Sequence, residues 1–422
     1  MVDQTIDDWF MLGTSPGART GIIRTFISHS HDDKPRVHDI LRRVAPYGAR
    51  PWIDDQDLRG QAGGSLRELI PSAIADPSCQ SLSLFLSAAS IKSPWVLDEV
   101  GAALALIPDG WRIIPIALDA VTGLALPSIL ETALRKRGNG FDTIYLDPTR
   151  AAFVADYAAA VLHAGGATEA EDVVLHLGHR DPHWRPNLPA PWRQLPAVDL
   201  RLQYPVGNAD FSPTEAEWVE IRDGFAFLRR CLRGVQTLRV TGRAPLGAAV
   251  ITGRTWDRGT GTVIEGWNGN ERGGEIWTGV GVIAADDWTP SSGTRLPART
   301  EGNLFAGATK LTVAFLRRAD QEPVTRAWNA SRSPEPPLLL VRCPERISTA
   351  DEATAVLNEA LGVFSWVRRT CLQVKEIDLV LGMPLALDAL VAHHLRQLGT
   401  IHFYDQVIPP SDPAYRLAIS WS

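Results

Sequence analysis

A chain of 422 residues with 45% hydrophobic and 21% charged residues and a net charge of −6 is too long for one ordinary core, so two or three domains are expected. The acidic balance excludes a general nucleic-acid binder, which would be basic, and no stretch reaches the roughly 20 apolar residues of a membrane helix. Cys79, Cys231, Cys343 and Cys371 are scattered without CxxC spacing, as buried thiols in a reducing cytosol would be. The start, MVDQTIDDWFMLG, lacks the basic and apolar parts of a signal peptide, so a soluble cytoplasmic protein is expected. Arginine outnumbers lysine, as either bidentate anion contacts or a GC-rich genome would produce.

TFISHS (25–30) reads as a strand. KPRVHDILRRVAPYG follows with Val37, Ile40, Leu41 and Val44 on one helical face, ended by Gly48. ARPWID is a second strand, followed by the polar loop DQDLRGQAGGS. SLRELIPSAIADP puts Leu66, Leu69, Ile70, Ala73 and Ile74 on one helical face, and SLSLFLS is a third strand. SPWVLDEVGAALALI is a helix with Ser93 as N-cap and Pro94 in first position. WRIIPIALD, the helix PSILETALRKRG, the strand DTIYLD and the helix TRAAFVADYAAAVLHAGG complete the region. This alternation implies a parallel sheet with helices on both faces. Trp95 and Glu99 fall just after its third strand, beside the crevice where open α/β sheets bind ligands.

Four segments, TFISHSHDD (25–33), WIDDQDLRGQAGGSLRELI (52–70), SPWVLDE (93–99) and GFDTIYLD (140–147), stand in an order that resembles a TIR domain spanning residues 21–163. Val96 departs from the pattern, since many TIR domains have cysteine there. The resemblance implies a flavodoxin-like fold and, with Glu99 at the position of the catalytic glutamate, cleavage of the nicotinamide–ribose bond of NAD. A carboxylate suits that chemistry because the ribose passes through an oxocarbenium-like state. Phe26, Trp52 and Trp95 are candidate aromatic walls, although Trp52 and Trp95 also read as core packing. Ser28, His29, Asp54 and Asp57 lie near strand ends that face the same crevice. The loop over 55–65 matches one through which TIR domains often contact a neighbour, so a site shared between copies is expected. Glu99 alone also reads as a carboxylate favourably placed in a helix's first turn. His29, His31, Asp32 and Asp33 read as a solvated loop, with no metal expected.

Residues 164–195 read as a linker rich in glycine, proline and acidic residues. Within it DVVLHL suggests a short strand packed on the second domain. His176, His179 and His183 form an HxxHxxxH run, read as structural or solvent-facing rather than metal-binding.

Residues 196–422 carry an imperfect repeat. TLRVTGRAPLGAAVITG (237–253) and IDLVLGMPLALDALVAHHLRQLG (377–399) each run from an apolar strand through a glycine to Pro-Leu and a small-residue helix. Gly242, Pro245 and Leu246 answer Gly382, Pro384 and Leu385. A helical pattern precedes each strand, and a further strand follows each helix, GTVIEGW (261–267) and TIHFYDQV (400–407); PPLLLVRCPERIS opens the second unit. The units are placed at 196–330 and 331–422. The arrangement resembles the SAVED domain, two fused CARF-like Rossmannoid units that sense cyclic oligonucleotides in CBASS anti-phage defence, where TIR joined to SAVED is a known effector architecture. Glycine after a strand admits a ligand backbone, and a helix N-terminus offers N–H groups to phosphate. Gly242, Arg243, Ala244 and Pro245 would form one side of a pocket, and Gly382, Met383 and Pro384 the other. Arg342 and Arg346 would meet phosphates, with Arg254, and Trp256, Trp267 and Tyr404 would stack on bases. Each arginine also reads as surface charge, and each Pro-Leu turn as simple helix initiation.

The expected whole is a NAD glycohydrolase with no cofactor. A cyclic oligonucleotide, the cyclic tri-adenylate by expectation, switches it on by self-association, head-to-tail and able to grow into a filament; neither DNA nor membrane is an expected partner. Two rivals stand beside it: a non-enzymatic TIR scaffold gated by a cyclic nucleotide, and a nuclease that degrades its own cyclic ligand.

Overall fold

The computed structural model describes residues 21–52, 74, 76, 79–107, 111–119, 125–135, 145–178, 188–202, 213–270, 273–279, 308–317, 338–344, 346–395, 399–406 and 415–422. Its contacts divide the chain into two units, one comprising residues 1–185, 190–207 and 227–235, the other 186–189, 208–226 and 236–422. Both are mixed α/β, with mainly parallel strand pairing.

In the first unit, strands β1 (Gly21–Ile22), β2 (Arg24–Ser28), β3 (Arg50–Trp52), β4 (Cys79–Leu86) and β5 (Arg112–Ala117) alternate with helices. The central sheet runs β3-β2-β4-β5, every pair parallel. Of the expected fifth strand, the described residues contribute one parallel bridge, Leu146 to Ile116. Helix α1 (Lys34–Val44) buries Val37, Ile40, Leu41 and Val44, the face its spacing predicts. Gly48 then turns the chain at φ 82°, a left-handed conformation that favours glycine. Helices α2 (Pro94–Leu106), α3 (Ser128–Arg135) and α4 (Phe153–Ala164) follow; α1 packs with α4, and α2 with α3. Ile74 of the helix expected over 65–77 is buried; Leu66, Leu69, Ile70 and Ala73 lie outside the described residues.

The expected linker contains a regular strand. DVVLHL is β6 (Asp172–Leu177), buried and parallel to β7 (Pro196–Leu200), which also pairs with β1. Both strands belong to the first unit. A buried charge cluster holds them to the TIR-like sheet. Asp199 on β7 accepts from Arg50 on β3, from the Arg201 Nε at 3.0 Å, and faces His176 Nδ1 at 2.6 Å. Burial alone would raise the Asp199 carboxyl, but Arg50, His176 and Arg201 outweigh it and hold the group well below its ordinary range. His176 is therefore structural, as expected; His179 and His183 lie outside the described residues.

In the second unit, helix α5 (Glu215–Cys231) leads to β8 (Thr237–Gly242), α6 (Leu246–Thr255), β9 (Val263–Asn270) and β10 (Gly273–Thr278). Strands β11 (Lys310–Arg317) and β12 (Leu338–Cys343), helix α7 (Ala350–Thr370), β13 (Glu376–Leu381), α8 (Leu385–His394), β14 (Thr400–Gln406) and β15 (Tyr415–Trp421) complete it. A five-stranded sheet runs β12-β11-β13-β14-β15. Strand β11, expected in the first repeat, lies between β12 and β13, so the second repeat starts earlier than residue 331. Helix α7 is set by a capping box, with Thr349 and Glu352 bonding each other's backbone.

The repeat is closer than the sequence suggests. Shifting by the interval from Pro245 to Pro384 superimposes β8 on β13 and α6 on α8 end to end, and the last residue of α5 on that of α7. In both copies a parallel strand follows the helix and an antiparallel strand returns. The two helices cross closely, since a Cβ on Gly253 would lie 2.2 Å from the Ala389 carbonyl oxygen and 2.8 Å from the Ala392 Cβ. Gly253 and Ala392 are themselves equivalent positions, so the two halves meet through matching residues.

Candidate functional site

Helix α2 starts where Ser93 accepts from the Val96 N–H at 3.5 Å and Pro94 takes the first position. The preceding loop is fixed by Ser87 at the end of β4. Its hydroxyl donates to the buried Asp33 carboxylate at 2.5 Å and accepts from the N–H groups of Ala89 and Ser90. The end of β4 thereby fixes the angle at which α2 leaves the sheet.

Trp95 and Glu99 are four residues apart on α2 and share a face. Trp95 is 46% exposed, whereas Glu99 is 9% exposed. Below them Ser28, the last residue of β2, donates its hydroxyl to Glu99 Oε2 at 2.6 Å. One face of α2 thus carries an exposed indole and, a turn later, a carboxylate anchored at the carboxyl end of a central parallel strand. Glu99 is the sixth residue of α2, past the first turn, where the helix dipole no longer explains a carboxylate.

The other residues expected here separate. Phe26 and Trp52 stack with centroids 4.8 Å apart and planes 17° apart, at 2% and 5% exposure. They pack the core under α2 with Val96 and Val100 and offer no open wall to a ligand. They are paired residues of β2 and β3, and the pairing sets the stack. Trp95 differs in the opposite sense, being exposed rather than core. His29 is half-buried, its Nδ1 3.4 Å from the Ile27 carbonyl. His31 and Asp32 are exposed, while Asp33 is buried. Asp54 and Asp57 lie outside the described residues. No cluster of His, Cys, Asp and Glu that could hold a metal occurs among the described residues.

In the second unit the two turns share a backbone but not a chemistry. Pro245 (φ −51°, ψ 139°) and Pro384 (φ −57°, ψ 140°) are N-caps in nearly the same conformation, each followed by Leu as first helical residue. The glycines do not correspond. Gly242 ends β8 at φ 132°, where glycine is favoured, whereas Gly382 follows β13 and answers Arg243. Arg243 is exposed; Ala244 and Gly382 are half-buried and Met383 is buried. The head of α6 is already occupied, because the Gly247 N–H donates to Asp405 Oδ2 at 3.3 Å. Ala386, which answers Gly247 at the head of α8, packs directly against Gly266.

Two nucleotide-site candidates prove structural. Arg254 donates to the Leu395 carbonyl at 2.5 Å and lies 5.0 Å from the Trp421 ring centre, so its guanidinium is committed within the fold. Trp256 is buried, and its carbonyl bonds His393 Nδ1. Trp267 and Tyr404 are half-buried, and Arg346 is exposed; the Arg342 side chain lies outside the described residues. The sequence reading missed Asp388, a fully buried carboxylate on α8 with no hydrogen-bond partner to either oxygen among the described residues. Burial first, and the nearby Asp405 second, push it well above the usual carboxylate range.

Residues 25–145 match the family described as TIR domain. The first unit therefore carries a TIR domain, as expected from its motifs. No curated protein matches the chain. Among solved structures it is similar to the Acinetobacter baumannii Cap4 SAVED/CARF-domain receptor with the cyclic trinucleotide 2'3'3'-cAAA, at 14% identity and TM-score 0.41, over 64% of this chain. This chain spans 55% of the length of that structure. It is also similar to a further structure of the Acinetobacter baumannii Cap4 SAVED/CARF-domain receptor (11% identity, TM-score 0.40, 94% of this chain and 80% of that one). The Moraxella osloensis Cap4 SAVED/CARF-domain receptor gives 11% identity and TM-score 0.40 over 84% of each chain. No described helix is long and apolar enough to cross a membrane.

Proposed function

We propose that this chain cleaves NAD to nicotinamide and an ADP-ribose product, and that a cyclic oligonucleotide bound to its C-terminal SAVED-like region switches the cleavage on. The observation that carries the reading is the exposed Trp95 one turn before Glu99 on the same helix face, with Ser28 hydrogen-bonded to the carboxylate at 2.6 Å, at the crevice end of a parallel sheet.

The chemistry follows from those groups. The bond from the ribose anomeric carbon to the nicotinamide nitrogen breaks, and its electron pair leaves with the ring, which becomes neutral. The carboxylate of Glu99 stabilises the positive charge left on the sugar. Water then bonds to the anomeric carbon and releases a proton. The Trp95 indole supplies an aromatic face for a planar ring of the dinucleotide. The paired halves of the second unit support a ligand that contacts both, as a cyclic trinucleotide would. Self-association then brings a neighbouring TIR domain to complete the crevice, and heterologous contacts extend into a filament.

The test is nicotinamide release from NAD in the presence of a panel of cyclic oligonucleotides, led by cyclic tri-adenylate. Ligand-dependent release that Glu99→Gln lowers by at least about a hundredfold, with assembly intact, supports the enzyme. No release with any ligand makes the chain a scaffold, and loss of the cyclic nucleotide itself during incubation makes it a nuclease.

A further inference from the structure

We infer that Ser28 is the positioning residue of Glu99, its hydroxyl holding the carboxylate in the orientation that faces the substrate sugar. This rests on the NAD-cleaving reading above. It assigns Ser28 a different task from the substrate contact its strand-end position suggests.

Ser28 is fully buried, and a hydroxyl without exposed surface does not meet a substrate. It reaches Glu99 Oε2 at 2.6 Å, within the short range of hydrogen bonds to an ionised acceptor. Its own position is rigid, since Ser28 pairs with Leu84 of the central strand β4. Glutamate has several rotatable bonds, and fixing them costs conformational entropy. A donor mounted on a paired strand fixes them before substrate arrives, which favours the transition state without changing ground-state affinity.

The neighbouring hydroxyls are engaged elsewhere. Thr25 faces Ser83 Oγ at 2.6 Å, and Ser83 accepts from the Tyr157 hydroxyl at 2.8 Å. Ser87 donates to Asp33. Of these buried side chains, Ser28 is the one that links β2 to the carboxylate on α2.

The experiment measures steady-state NAD cleavage by the full chain, with cyclic tri-adenylate as activator, for wild type, Ser28→Ala, Ser28→Thr, Ser28→Val and Glu99→Gln. Threonine and valine have the same shape and both suit a strand, so they differ in the hydroxyl while sharing any cost to folding. The expected result is a kcat about tenfold lower in Ser28→Ala and Ser28→Val, with KM for NAD within about twofold of wild type and kcat largely restored in Ser28→Thr. Equal kcat in the threonine and valine variants overturns the inference, as does a raised KM at unchanged kcat. Full turnover in Glu99→Gln, or none in wild type, removes the NAD-cleaving reading and this inference with it. An inactive Glu99→Gln beside a flat Ser28 series removes this inference alone.

Discussion

Arg254 and His393 occupy equivalent positions at the ends of α6 and α8, and each reaches across to the backbone of the other half. Arg254 donates to the Leu395 carbonyl, and His393 Nδ1 bonds the Trp256 carbonyl. Leu395 and Trp256 are equivalent too. The pair of bonds is therefore one contact made twice, and it clasps the two halves of the second unit at their crossing helices.

Arg254→Ala should accordingly act on stability. It removes a charged hydrogen bond and the contact with Trp421, and a loss of about 2 kcal/mol is expected. Urea unfolding of the full chain, followed through the second unit's transition, measures it. A double-mutant cycle with His393→Ala should show the two losses to be non-additive, since both act on one interface.

Asp199→Asn should be more damaging, by about 3–5 kcal/mol, because it leaves Arg50 and Arg201 buried beside a neutral group. The pH dependence has a definite sign. The folded carboxyl is held below its unfolded value, so its contribution is fully present above the unfolded value of about 4 and is lost as pH falls through the lowered folded value. Thermal melts between neutral and acid pH should show the first unit weakening at the acid end, and Asp199→Asn should flatten that decline.

Asp388 has the opposite sign. Its folded carboxyl is raised by burial and by Asp405, so the folded state holds the proton more tightly. That advantage is fully present below the unfolded value of about 4 and fades as pH rises through the raised folded value. Asp388→Asn should therefore raise the melting temperature of the second unit at neutral pH and leave it nearly unchanged at pH 4. A lower melting temperature at neutral pH would show that the carboxylate has a partner in solution.

The tryptophans of the TIR domain should separate cleanly. Trp52→Ala empties a core position stacked on Phe26 and should cost about 3–5 kcal/mol. Trp95→Ala removes a largely exposed ring and should cost under about 1 kcal/mol, while raising KM for NAD. Melting temperatures and NAD kinetics on the same two variants give both readouts.

Much of this was legible in the sequence where the signal is local. Ser93-Pro94 marks the start of α2 because capping needs only neighbouring residues, and Val37, Ile40, Leu41 and Val44 mark the buried face of α1 by spacing. The aromatics misled because strands in a parallel sheet are covered on both faces. Residue type then says nothing about which ring is reachable, and Phe26 and Trp52 are walled in while Trp95 is open. The glycines of the repeat misled by one position, since Gly242 and Gly382 look alike but Pro245 and Pro384 set the alignment. The Asp199 cluster joins Arg50 to a residue 149 positions away, beyond any local pattern. Its one visible trace was a polar residue in each of two apolar strands, His176 in DVVLHL and Asp199 in PAVDL.

The clasp between α6 and α8 has a consequence for how this region can vary. In a dimer of separate chains, any change at Gly253 would strike its own copy and act twice. Here its counterpart is Ala392, encoded independently, so one side of the crossing can drift while the other stays. Asp388 already shows that freedom: its counterpart is Ala249, and the acidic side chain lies on one side only.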